Sequence, residues 1–186
     1  FIQPPEIVTM DSLGAKMISA AEKNAMGEVV DFIEKQAVDV NSLDWNDQTA
    51  LIAAASKGNI DILDYLINKG ADISMTDREQ VSAFMEAANG GHLEIVHKLA
   101  KLGAEIDGTA SSGVTALWLA SASGQSQVVD YLLSYDKIEG GLPANVNAMK
   151  SDGVTALMVA ALEGHEACVQ LLLNAGADAN TKDNEG

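Results

Sequence analysis

The amino-acid sequence predicts an all-α fold, a solenoid of stacked helix-turn-helix units joined by β-hairpin loops. A motif of Thr or Ser, Ala and an apolar residue recurs at intervals of 33, 33 and 40 residues. A glycine follows each copy at the same intervals, and periods of this size are typical of stacked supersecondary units. Composition agrees, because 47% of the residues are hydrophobic but only 4% are aromatic, which suits closely packed helices with small contact residues. The motifs begin at Thr49, Ser82, Thr115 and Thr155, and the glycines are Gly58, Gly91, Gly124 and Gly164.

The unit is clearest between residues 44 and 76. Its first five residues are polar and typical of a hairpin connection. Thr49 stands where a helix N-cap belongs, and Gly58 where a left-handed C-cap would close a short first helix. An apolar stripe at helical spacing then predicts a second, longer helix that ends at Gly70. The stripe consists of Ile60, Ile62, Leu63, Leu66 and Ile67.

The same register divides the rest of the chain. Asn24 takes the glycine position of a divergent first unit, and Asn tolerates the left-handed conformation. The fourth unit has seven extra residues within residues 134–143, where Gly-Gly and Pro indicate an exposed loop. A tolerated insertion and a binding loop both remain open for this segment. The predicted parts are an extended tail (1–11), a capping repeat (12–43), four repeats (44–76, 77–109, 110–149 and 150–182) and the start of a further repeat (183–186), which leaves open whether more repeats follow.

Several stretches of these units resemble the ankyrin repeat. Residues 91–96 read Gly-His-Leu-Glu-Ile-Val, residues 164–166 read Gly-His-Glu, and residues 171–180 read Leu-Leu-Leu-Asn-Ala-Gly-Ala-Asp-Ala-Asn. On these stretches, residues 12–186 are identified as a member of the ankyrin-repeat family. The resemblance implies a non-enzymatic module that binds proteins.

Two positions depart from the T-P-L-H motif of that family. Alanine replaces the proline, which should weaken each repeat slightly because proline preorganises the first helical turn. Apolar residues replace the histidine, so we expect apolar packing in place of the hydrogen bonds that the family's histidine makes between loops. The alanines are Ala50, Ala83, Ala116 and Ala156, and the apolar residues are Ile52, Met85, Trp118 and Met158.

Charge and composition narrow the classes of partner. The formal net charge is −16, from 27 acidic and 11 basic side chains, and no Lys/Arg cluster suits a phosphate backbone, so we expect no nucleic acid. The acidity serves solubility or attracts a basic partner. No apolar run reaches the roughly 18–20 residues that span a bilayer, so direct membrane insertion is not expected. The single Cys168 fits a reducing compartment, which predicts an intracellular protein: cytoplasm or nucleus by default, an organelle interior if the N-terminus is processed.

Residues with catalytic or metal-binding chemistry are few. His92 and His165 occupy the Gly-His position of the repeat, which assigns them a structural role, and His97 is predicted to be solvated on a second helix. His165 and Cys168 share a helical face, but two ligands fall short of the three or four that a zinc site needs. We therefore expect no enzyme activity, no cofactor and no metal.

The resemblance places hairpin tips and first-helix ends along one concave groove that would dock a protein partner with a basic and apolar surface. Three tips repeat a valine, which indicates either an apolar groove or packing between hairpins. Arg78 either anchors a partner carboxylate or pairs with its neighbours. The predicted binding residues are Trp45, Asn46, Gln48, Arg78, Glu79, Val81, Ser111, Ser112, Val114, Ser151, Asp152, Val154 and Leu162.

The leading hypothesis is thus a scaffold or adaptor. An alternative is a substrate-recruitment segment of a larger enzyme, channel or ligase adaptor. Another is a structural subunit of a large assembly, held by residues 1–11 and 134–143. Fold does not fix function, so the partner, the biological process and the oligomeric state stay open at this point.

Overall fold

The computed structural model describes residues 12–135 and 141–186, and it confirms the predicted all-α solenoid of stacked helix pairs. The predicted tail (1–11) and residues 136–140 of the predicted loop lie outside the described residues. Within the described ranges, ten helices follow one another in five pairs. They are α1 (Leu13–Glu22), α2 (Met26–Glu34), α3 (Ala50–Lys57), α4 (Ile60–Asn68), α5 (Ala83–Asn89), α6 (Leu93–Lys101), α7 (Ala116–Ala122), α8 (Ser126–Leu133), α9 (Ala156–Leu162) and α10 (Glu166–Asn174).

The first helix of every pair begins at a hydroxyl cap. The side-chain oxygen accepts a hydrogen bond from the backbone N–H three residues later, over 3.1 to 3.3 Å. Such a cap stabilises a helix by about 1 kcal/mol, because it satisfies a donor that the helix itself leaves unpaired. The predicted role of Thr49 is thereby confirmed, and the same cap is made by Ser12, Ser82, Thr115 and Thr155.

Residues in the left-handed conformation end the first helices or follow them closely. Gly58 closes α3 with φ of 73°, as the sequence predicts. Asn24 has φ of 59° at the corresponding point of the first pair, so the expected tolerance of asparagine is confirmed. From the second pair onward the second helix is the longer one, and in the first pair the order is reversed.

The core runs along the stacked first helices. Each first helix packs on the next one. Second helices pack mainly on the first helix of their own pair, except that α8 packs on α10 as extensively as on α7. Small side chains at the contact let the first helices approach closely, and larger apolar residues of the second helices seal the layer behind them. The buried alanines include Ala54, Ala55, Ala87, Ala88 and Ala120, and the sealing residues include Leu63, Leu66, Leu99 and Leu132, all with 0% exposure.

Apolar packing fills the positions where the family motif has histidine. Ile52 and Met85 are 1% and 3% exposed. Trp118 is half-buried, and the Nζ of Lys150 lies 5.2 Å from its ring centroid. A cation at this distance is attracted to the ring face.

Candidate protein-binding surface

One backbone hydrogen bond joins each hairpin tip to the tip before it. We call this row of bonds the hairpin ladder. Because it uses main-chain atoms, it persists although the residues at the tips differ. The bonds run from Arg78 N to Asn46 O (3.1 Å), from Ser111 N to Glu79 O (2.8 Å), from Ser151 N to Ser112 O (2.9 Å) and from Asn184 N to Asp152 O (2.9 Å).

An aspartate shapes each of the first two tips. Its carboxylate oxygen accepts from two backbone N–H groups within the turn, at 2.8 to 3.0 Å. These bonds hold the turn in one conformation, as short Asp side chains commonly do. Asp44 binds the amides of Asn46 and Gln48, and Asp77 binds those of Glu79 and Val81.

The three repeated valines of the hairpin tips are buried or half-buried. Val114 is only 9% exposed and belongs to the core, and Val81 is half-buried against the core. Val154 is also half-buried. These positions favour packing between hairpins, which is one of the two roles that the sequence leaves open. The most exposed apolar side chains among the predicted binding residues are instead Trp45 at 51% and Leu162 at 82%.

Both cations at the tips are neutralised by neighbouring carboxylates. The Nε of Arg78 lies 3.2 Å from Asp47 Oδ2 on the preceding tip, so Arg78 pairs locally. The Nζ of Lys150 lies 2.8 Å from Asp152 Oδ2. This lysine holds the pKa of the Asp152 carboxyl below its ordinary value, chiefly through the hydrogen bond. With Glu79 exposed beside these pairs, the tips carry an excess of negative charge.

A second row of bonds starts at the turn inside each helix pair, and we call it the turn ladder. A side-chain nitrogen reaches back to a carbonyl at the end of the preceding first helix. Since a carbonyl only accepts, the two histidines carry the proton on Nε2. The bonds join Asn59 Nδ2 to Ala21 O (2.8 Å), His92 Nε2 to Ser56 O (3.1 Å), Gln125 Nε2 to Asn89 O (3.3 Å) and His165 Nε2 to Ala122 O (3.0 Å).

The turn ladder supports the structural role predicted for His92 and His165. Asn59 and Gln125 make the same kind of bond, a role that was not predicted for them from the sequence. Each of the four stands ten residues after its helix cap, or one residue after the left-handed glycine, and each has a side-chain N–H. Aligning the repeats by hydrogen-bonding capacity rather than residue type would have revealed this row.

Glycines make room for the turn ladder. A Cβ added to Gly58 would lie 2.5 Å from the ring of His92, and one added to Gly91 would lie 2.3 Å from Gln125 Oε1. Both glycines also have φ of 73°. Glycine is thus required at these two positions for two reasons: the backbone is left-handed, and there is no room for a side chain.

A third row, the loop ladder, connects the loops that follow the second helices. A side-chain oxygen accepts from a backbone N–H of the next loop at 2.9 Å in each case. The acceptors are Asn41, Asp107 and Asn147, and the donors are the amides of Asp72, Asn145 and Asp178.

Ser74 interrupts the loop ladder. It stands at the register position of Asn41, 33 residues later, but its hydroxyl donates to Asp72 Oδ1 of its own loop over 2.6 Å. This hydroxyl is the main cause that lowers the pKa of the Asp72 carboxyl, and the Ser74 amide adds to it.

Two of the residues that were considered for catalysis or metal binding, Cys168 and His97, are buried or half-buried. Cys168 is 1% exposed, and burial raises the pKa of its thiol, which disfavours the reactive thiolate. His97 was predicted to be solvated but is half-buried, with its ring edge against Tyr131 at a centroid distance of 5.4 Å. In residues 12–135 and 141–186, no three His, Cys, Asp or Glu side chains are grouped as a metal site would require. Nor is any helix in these ranges both long and apolar enough to cross a membrane.

A family model described as "Ankyrin repeats (3 copies)" matches residues 16–110 and 84–183. Together the two matches extend over most of the chain and include all five helix pairs in large part. A search of curated proteins finds no match.

Proposed function

Because the chain belongs to the ankyrin-repeat family, whose members are generally protein–protein interaction modules, we propose that it is a non-enzymatic scaffold or adaptor. It binds a protein partner through the hairpin tips and the ends of the first helices. The observation that supports this best is the hairpin ladder, which fixes successive tips in one row with backbone bonds alone. Tip side chains that neither shape a turn nor pair with the neighbouring tip are therefore free to vary for recognition.

The partner presents a surface that is both basic and apolar. Trp45 and Leu162 belong to the first and last of the tip-bearing repeats and supply apolar anchors, and tryptophan is enriched among interface hot spots. Between them, the exposed Glu79 supplies a carboxylate, and Asp152 supplies one that is paired with Lys150, on a chain of net charge −16. Complementary charge of this kind mainly speeds association and selects partners.

Paired substitutions test this surface. The tip variant combines Trp45→Ala with Leu162→Ser, at side chains that are 51% and 82% exposed. The matched control combines Leu102→Ala with Leu142→Ser, which are 49% and 84% exposed but follow second helices. The two pairs match in fractional exposure and in the residues introduced, and they differ in the larger size of the Trp45 side chain.

The readout is quantitative affinity capture from cell extract with the whole chain as bait. Proteins retained by the native chain and the control should fall at least about tenfold on the tip variant, because hot spots contribute 2 kcal/mol or more. Equal capture by all three baits would exclude the tips as the binding surface. For partners found in this way, Glu79→Lys should slow association at low salt, and Glu94→Lys on α6 serves as the charge-matched control.

A further inference from the structure

Asn41 makes two hydrogen bonds at the junction that it spans. Its Oδ1 accepts from the Asp72 amide at 2.9 Å, and its Nδ2 donates to the Gly70 carbonyl at 3.5 Å. A carboxamide is suited to this double contact because it has an acceptor and a donor on one planar group. The asparagine thus acts as a clamp between two successive loops.

The next junction has the two backbone groups but not the clamp. Glu105 and Gly103 stand 33 residues after Asp72 and Gly70. Ser74 stands 33 residues after Asn41, and its hydroxyl is committed to Asp72. Among the residues that the structure describes, no hydrogen-bond acceptor takes the Glu105 amide and no donor reaches the Gly103 carbonyl.

A cavity of about 540 Å³ opens at this junction. Gly103 and Glu105 both line it, together with Ser74. Its volume lies within the range of small-molecule sites, so the cavity is large enough for the side chain of one residue. The rest of the wall includes the hydroxyl groups of Thr76, Ser82 and Thr109 and the thioether of Met85.

We propose that this cavity binds a primary carboxamide, supplied by an Asn or Gln side chain of a protein partner. The amide oxygen accepts from the Glu105 N–H, and the amide NH₂ donates to the Gly103 carbonyl. The incoming group then makes the two bonds that Asn41 makes at the neighbouring junction. The proposal rests on the proposed function for one point, namely that the carrier of the carboxamide is a protein.

Other side chains fit the site less well. A carboxylate cannot donate to the Gly103 carbonyl, and it would lie in the same cavity as the carboxylate of Glu105. An ammonium group matches that charge but cannot accept from the Glu105 amide. A neutral group with both an acceptor and a donor satisfies the two open positions together.

The cavity also adjoins the proposed binding surface. Gln80 lines the cavity and lies between Glu79 and Val81 in the second hairpin tip. A partner segment that lies across this tip is therefore next to a residue that lines the cavity. The site adds a specific contact to a surface that otherwise offers charge and exposed apolar groups.

The test is an NMR titration of the ¹⁵N-labelled chain with three capped residues: N-acetyl-asparagine N′-methylamide and its aspartate and leucine counterparts. The asparagine compound should shift the Glu105 amide resonance in a saturable way, and the other two compounds should not. They share its backbone amides, so they control for contacts that do not involve the carboxamide. Equal shifts with all three compounds would show binding that does not involve the carboxamide, and no shift with the asparagine compound would show no binding; either result would overturn the proposal.

Two variants complete the design. Ser74→Asn supplies the clamp from within, so it should abolish the response and raise Tm by about 2–4 °C, as about 1 kcal/mol does for a chain of this size. Ser74→Ala leaves the cavity open and should keep the response. An undiminished response in Ser74→Asn would contradict the assigned site.

The two proposals fail separately. Loss of the amide response would leave partner capture through Trp45 and Leu162 untouched. Capture that does not depend on those two residues would leave the response of Glu105 to the small compound intact.

Discussion

The turn ladder and the loop ladder join the same repeats, but only the turn ladder is complete in the described part of the chain. The turn ladder uses Asn, His, Gln and His at its four steps, and every one of these side chains reaches a carbonyl within 3.3 Å. The loop ladder forms at Asn41, is interrupted at Ser74, and forms again at Asp107 and Asn147. The comparison teaches that reach decides whether a step forms, whereas residue type matters little.

The glycines of the two ladders differ as well. Those beside the turn ladder sit against the side chain of the next repeat, within 2.7 Å of where a Cβ would be. Those beside the loop ladder also have positive φ, but nothing lies within 4 Å of an added Cβ. The turn side of the junctions is therefore tightly packed, and the loop side has free space. The first group is Gly58, Gly91 and Gly124, and the second is Gly70, Gly103 and Gly176.

The largest effect should come from Gly58→Ala, with Gly70→Ala as its partner. Each alanine should lower the free energy of unfolding by about 1 kcal/mol, because alanine is strained in the left-handed conformation. Gly58→Ala also displaces the His92 ring, so its total loss in the free energy of unfolding should be about 2–4 kcal/mol. Urea denaturation with an unchanged m-value measures both. Equal losses would mean that the ring moves aside without cost and that the turn side is no tighter.

An intermediate effect is expected at His92 itself. His92→Gln should be nearly neutral, because Gln125 makes the equivalent bond at the next step. His92→Ser is too short and should lose about 1 kcal/mol or more, the net contribution of one hydrogen bond plus some packing. Thermal unfolding of the two variants gives the ranking. If Ser were tolerated as well as Gln, reach would not be the deciding property.

The smallest effect is electrostatic and concerns Asp72. Ser74→Ala should raise the pKa of the Asp72 carboxyl, though not fully to its ordinary value, because the Ser74 backbone amide still donates. A carboxyl whose pKa is lowered by folding stabilises the protein at pH values above its ordinary pKa of about 4. This stabilisation is lost as the pH falls through the lowered pKa. The penalty of Ser74→Ala should thus vanish in acid. A ¹³C titration of the carboxyl measures the shift, and an unmoved pKa would contradict the hydroxyl's role.

Much of the fold could be predicted from the sequence because its signals are local and repeated. The hydroxyl caps such as Thr49, the left-handed Gly58 and the apolar stripe of α4 each leave a mark within one unit. Because four copies share one register, the sequence predicts a stack of similar units and few other architectures.

The surface was less accessible to prediction because it depends on contacts between units. The repeated valines look alike in sequence, yet Val114 is buried while the neighbouring tips expose other residues. The pairing of Arg78 with Asp47 joins residues 31 apart, and the sequence offered it only as one of two options. The cavity at Ser74 lies at the junction where the loop-ladder bond is missing. A missing bond between two repeats leaves no pattern within either repeat. The residues of the binding surface therefore remain a proposal.

The interrupted loop ladder has a mechanical consequence. Each unit touches only its neighbours, so a pull on the two ends loads the junctions like springs in series. The junction at Ser74 has lost one of its ladder bonds, and under tension it is the link expected to yield first. A partner side chain seated there would brace that link, and the stiffness of the whole array would then report whether the partner is bound.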